Sequence, residues 1–253
     1  MLQELLNTNV YGFLVVFTRL GTAMALMPGF SAAYVPVLAR LTLGLALSLL
    51  VLPVVADRLP PLPDSGIQLF MVLLVEFTAG AFIGTATRIL IGALQTAGTM
   101  ISYFSSMANA FVQDPVAEQQ SSTIAGFLSV TGLLLIFVTD MHHTMLRAAV
   151  DSYVLFVPGH LLPVGDMADS VARLTADSFA LGVRMSAPFV VTAVAYYLGL
   201  GLLGRLMPAL PVFFFGLPVQ ITLQIMVLGL TLSAMMMAFL TAFGDKIGQF
   251  LTP

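Results

Sequence analysis

From Val219 to Phe243 no side chain carries a charge. A helix needs about 20 apolar residues to cross the roughly 30 Å hydrocarbon core of a bilayer, and this run is long enough. It is one of several. Apolar segments are read at about Tyr11–Met27 (with Arg19 inside, closed by Pro28-Gly29), about Val37–Ala56, about Ile67–Thr87 with Glu76 inside, and Ile89 to about Val112. Another runs over about Ile124–Thr139 and is expected to continue through "DMHHTMLRAAVDSY". A sixth is amphipathic over Ala168–Asp177 and apolar from Ser178 to Gly204. Between them lie loops at Asp57–Gly66, Val157–Met167 and Arg205–Pro218, each carrying prolines. With 59% hydrophobic and 8% charged residues, the 253-residue chain has too much apolar surface to hide in a water-soluble core. Lipid offers no hydrogen-bond partner, so each crossing backbone must satisfy itself, and a helix does this segment by segment. A barrel would show short alternating strands instead of these continuous runs. The expected fold is all-α: a polytopic membrane protein of six or seven helical segments in hairpins. It forms a single domain over 1–253, with no soluble domain.

Several functions fall away. Nine Lys+Arg and a net charge of −3 make no basic stripe, so no nucleic-acid partner is expected. Cysteine is absent, which removes disulfides, thiolate catalysis and Cys-based metal sites. No nucleophile elbow, P-loop or dinucleotide fingerprint is present, so neither an enzyme nor a cofactor is expected. His142 and His143 stand beside Asp140, but adjacent helical residues project about 100° apart, and no metal site is expected there. The start, "MLQELLNTNVYGF", has Glu4 where a signal peptide would place Lys or Arg, so the first apolar segment is expected to stay in the protein. The dispersed arginines give no topology by charge bias.

The apolar segments carry features that cost energy in lipid. Arg19 and Glu76 are intramembrane charges, which usually face a partner or a wet cavity. They are expected to form a structural ion pair between helices. A proton relay would want several acids or histidines in register. Gly80, Gly84, Gly92 and Gly98 continue one small face, which lets helix backbones approach closely, either within one chain or between chains. The stretch "SSMANAFVQDPVAEQQSSTIAGF" (Ser105–Phe127) is polar and broken by Pro115, yet Met107 and Phe111 stand just ahead of the break. "PVFFFGLP" sets Phe213, Phe214 and Phe215 between prolines, in a turn that need not be helical. Met235, Met236 and Met237 are read as core or lipid-facing.

Five stretches carry a resemblance. They are an amphiphilic N-terminal segment, "TRLGTAMALMPGFSAAYVPVLARLTLGLALSLL" (Thr18–Leu50), "GTMISYFSSMANAFVQDP" (Gly98–Pro115), "LLLIFVTDMHHTMLRAAVDSYVLFVPG" (Leu133–Gly159) and "LGRLMPALPVFFFGLPVQITLQI" (Leu203–Ile225). Over essentially its whole length the chain resembles the R subunit of the flagellar type III secretion export gate, related to the T subunit of injectisomes. The resemblance implies a non-enzymatic subunit of the bacterial inner membrane, in the flagellar basal body. There it assembles with P and Q gate subunits in a helical hetero-oligomer that projects toward the periplasm, beside the B and A export-apparatus subunits. It implies unfolded flagellar proteins as cargo. It also implies a P-like half over about 1–165 and a Q-like half over about 166–253. A loop that plugs the pore would correspond to Met107, Phe111, Val112, Gln113, Asp114 and Pro115, with Phe213–Phe215 near the lumen. The rival reading is an ion-coupled small-molecule transporter with a midplane site at Glu76.

Overall fold

In the computed structural model, residues 2–32, 34–107, 122–207 and 212–248 are described, with the side chains of 2–9 and of 213 left aside. The described residues form seven α-helices and one 3₁₀ turn, with no strand. The helices are α1 Leu2–Leu26, α2 Val37–Val55, α3 Gly66–Phe104, α4 Thr123–Val138, α5 Met141–Leu155, α6 Val164–Leu206 and α7 Val212–Gly248. Four helical stretches are long and apolar enough to cross a membrane: Val37–Arg58, Gly66–Phe104, Val164–Leu206 and Phe214–Gly248. There are five if α4 and α5 count as one bent span. The fold is all-helical and membrane-embedded in character, because nothing but lipid or protein can cover such surfaces.

Two of the segment boundaries expected above are corrected. Arg88 does not divide α3, which runs unbroken for 39 residues. A lone arginine removes no backbone donor, and neither proline nor a glycine pair stands nearby to stop the helix. The "PVFFFGLP" stretch is not a turn, since α7 already begins at Val212 and passes through Pro218. A proline inside such a helix is tolerated where neighbours take up the disturbed backbone groups. Beside it the Tyr196 hydroxyl donates to the Gly216 carbonyl at 2.5 Å, which ties this first part of α7 to α6. By contrast, the segment expected to continue from Ile124 through Asp140–Tyr153 is broken between α4 and α5. Asp140 takes left-handed backbone there, with φ of 57°, and no helix continues through such a residue.

The chain separates into two compact units. The first holds Met1–Leu90, Ile136–Leu174 and Phe243–Pro253; the second holds Ile91–Leu135 and Thr175–Ala242. In the first, Val16, Leu20, Ala23, Met24 and Met27 are all buried, which is the three-and-four spacing of one helix face. That face meets α3 at its glycines. A Cβ on Gly80 would strike the carbonyl of Arg19, and one on Gly84 would lie 2.6 Å from the Leu26 side chain. The small stripe therefore packs within this chain, backbone against backbone. In the second unit the same device recurs: Gly98 sits against the backbone of Ala125 in α4, and Gly182 lies under the carbonyl of Ala93. Met235 and Met236 are buried, while Met237 is exposed.

Candidate functional site

Arg19 on α1 and Glu76 on α3 are both fully buried. The guanidinium meets the carboxylate as a fork: Nε donates to Oε2 at 2.6 Å and Nη2 to Oε1 at 3.0 Å. The remaining donors go to the end of α5. Nη1 donates to the Ser152 carbonyl at 3.2 Å and to its hydroxyl at 3.4 Å, and Nη2 donates to the Phe156 carbonyl at 2.9 Å. The ring of Tyr153 lies 4.1 Å below the guanidinium carbon, a cation–π contact in a dry setting. The Phe156 ring in turn meets Phe82 of α3 edge-on at 5.8 Å. One arginine thus ties three helices together, with every N–H direction used. Chemically this is a closed site, because both carboxylate oxygens are already engaged and neither partner faces water.

A second polar cluster lies in the other unit, around the C-terminal end of α3. A helix end leaves carbonyls without helical partners. Here Gln220 of α7, 1% exposed, donates through Nε2 to the Phe104 carbonyl at 2.8 Å and to the Tyr197 hydroxyl at 2.9 Å. The same hydroxyl pairs with the Ser106 hydroxyl at 3.2 Å. One turn further along α7, Gln224 donates to the Phe189 carbonyl at 3.3 Å and accepts from Thr192 at 3.3 Å. Gln220 and Gln224 share a helix face and bind it to α6. They were not singled out in the sequence, although two glutamines four apart in an otherwise apolar run are a signal for an interhelical polar seam.

Of the residues read as a pore plug, Met107 is half-buried just past the end of α3, its N–H bonded to the Ser102 carbonyl at 3.0 Å. Phe111, Val112, Gln113, Asp114 and Pro115 lie outside the described residues. Phe214 and Phe215 are exposed, 81% and 71%, on the first turn of α7, and the side chain of Phe213 is outside the described set. Asp140, His142 and His143 come closer than the sequence suggested, with potential ligand atoms within 4.8 Å of one another. Asp140 and His143 are largely exposed, and His142 stacks on Phe137 at 4.8 Å.

The chain as a whole is similar to known proteins. Residues 10–245 match the family described as bacterial export proteins, family 1. The chain belongs to that family. Among curated members, the flagellar biosynthetic protein FliR of Caulobacter vibrioides is 34% identical over 242 residues, covering 96% of each chain. FliR of Bacillus subtilis is 28% identical over 238 residues, covering 93% of this chain and 91% of its own. The Yop proteins translocation protein T of Yersinia pestis is 26% identical over 218 residues, covering 79% and 81%. The family match takes in both clusters, from Arg19 to Gln224, so each belongs to the part of the chain that the family shares.

Proposed function

We propose that this chain is a non-enzymatic core subunit of the bacterial flagellar type III export gate in the inner membrane. In this reading it forms part of the wall of a conduit for unfolded flagellar proteins. The observation that carries the reading is the end-to-end likeness to the flagellar biosynthetic protein FliR of Caulobacter vibrioides. Its partners are P and Q gate subunits in one hetero-oligomer that projects toward the periplasm, with B and A export-apparatus subunits beside it. About 1–165 packs like a P subunit and about 166–253 like a Q subunit. The segment with Met107, Phe111, Val112, Gln113, Asp114 and Pro115 serves as the removable plug of the closed pore, and Phe213–Phe215 lie near the lumen.

Two structural facts support this over a transporter. The Arg19–Glu76 cluster is saturated with internal bonds, as a fixed joint requires and a cycling proton site does not. The polar seam at Gln220 also anchors the end of α3, immediately before the proposed plug. The test is genetic. Deleting the gene in its host should abolish filament assembly and export of filament protein, and the Caulobacter relative supplied in trans should restore part of both. Normal filaments in the deletion strain would refute the assignment.

A further inference from the structure

Within the first unit, α1 and α2 enclose an open cleft of about 570 Å³ that no part of the described chain fills. Its walls are apolar: Leu14, Phe17 and Leu26 on one side, Val37 and Leu41 on the other, with Phe77 of α3 beside them. The floor is kept low by Gly21 and Gly44, where a Cβ on Gly44 would already touch the Phe17 ring at 3.5 Å and the Gly21 Cα at 3.9 Å. From Leu14 to Leu26 the cleft follows about 18 Å of helix, at about 1.5 Å per residue. One leaflet of the hydrocarbon core is about 15 Å deep, so the trough matches the reach of a single phospholipid tail.

One end of this trough is charged. Among its lining residues Arg40 alone is ionised. It sits in the first turn of α2, near the end of a candidate span, where lipid headgroups lie. Nη2 donates to the carbonyls of Ala32 at 3.1 Å and Val35 at 3.4 Å, which fixes the side chain in place. Among the described residues neither Nε, which is buried, nor Nη1 has an acceptor. No described carboxylate pairs with this arginine. A guanidinium held by two carbonyls, with donors left over and no counter-charge, is matched by a phosphate oxygen. We propose that the α1–α2 cleft binds one anionic phospholipid, with a tail in the trough and the headgroup phosphate on Arg40. The claim concerns a lipid site in the wall of the chain and stands whether or not the chain serves flagellar export.

The test uses the full chain in nanodiscs of phosphatidylcholine, doped with phosphatidylglycerol that bears a photoactivatable tail. Labelled peptides are then mapped by mass spectrometry. Labels should concentrate on 14–26 and 37–44. They should fall at least fivefold in Arg40→Gln, which removes the charge, and in Thr22→Phe, which fills the trough from α1 without touching Arg40. Arg40→Lys should retain part of the labelling, and a phosphatidylcholine probe should label the cleft weakly. Helical content and elution position verify that each variant is folded. Equal labelling of wild type and both blocking variants would overturn the proposal, as would equal labelling by the two lipids. The same probe in membranes holding the assembled complex gives the remaining arm: if the cleft there cross-links to a neighbouring subunit and excludes the lipid, its occupant is protein and the proposal fails.

Discussion

Arg19 spends its whole guanidinium on one carboxylate, one hydroxyl and two carbonyls, all inside the protein. Such a group is costly to leave half-made. Replacing Glu76 by Leu would leave a buried cation with neutral partners only, and breaking a buried pair in this way costs about 3–5 kcal/mol. The double variant Arg19→Met/Glu76→Leu removes both charges and should recover much of that loss. Unfolding in detergent, arranged as a double-mutant cycle, measures the difference; a single variant as stable as the double one would refute the view that the pair is a joint. Glycines offer a paired comparison at the same scale. Gly80→Ala drives a methyl into the Arg19 carbonyl and should cost about 1–3 kcal/mol, as overpacking does. Gly199 has open space around it, so Gly199→Ala should be neutral or mildly stabilising by the same assay, with a change of about 1 kcal/mol at most. Both members of the ion pair could be read from sequence, because a charge in an apolar run demands a partner. Ser152, Tyr153 and Phe156 could not, because two of them act through backbone carbonyls and none is an unusual residue for its segment.

At the scale of elements, the helices are legible by their apolar length, and the structure departs from the sequence pattern where a charge or a proline suggests a boundary. Arg88 leaves α3 whole, and the Pro-flanked phenylalanines begin a helix. Left-handed backbone at Asp140 has no such mark, since aspartate is only one of several residues that tolerate it. The end of α3 is where element structure bears most on the proposed function. Its last carbonyl is held by Gln220, a tertiary clasp added to the local cap in which left-handed Ser106 lets the Met107 N–H return to the Ser102 carbonyl. Gln220→Leu keeps the bulk and removes the donor. Hydrogen exchange of amides 102–107 should then rise on the order of tenfold, the equivalent of losing a hydrogen bond worth about 1.4 kcal/mol. Unchanged exchange across that stretch would show that the clasp does not hold the helix end.

At the scale of the whole molecule, the described chain cannot cover itself. The most apolar window of α6 is 11% buried, and those of the α2 and α7 spans are 17% buried. Such surface needs lipid or other subunits around it, and a gate subunit would be given both. The plug assignment can be separated from the wall assignment because they concern different residues. Replacing residues 110–116 by Gly and Ser leaves α3, α4 and the Gln220 clasp intact, so the complex should assemble to normal yield with the proposed P and Q partners. The apolar side chains of Phe111 and Val112 would be gone, while the flanking helices would stay anchored. Ion leak through membranes expressing the gate should therefore rise several-fold, measured as growth inhibition in salt or as conductance in a planar bilayer. The Gln220→Leu variant should leak less than the loop replacement, because it loosens the end of α3 and keeps Phe111 and Val112. If the loop replacement assembles normally and leaks no more than wild type, the closure of the pore lies in its partners. The chain would then be wall alone.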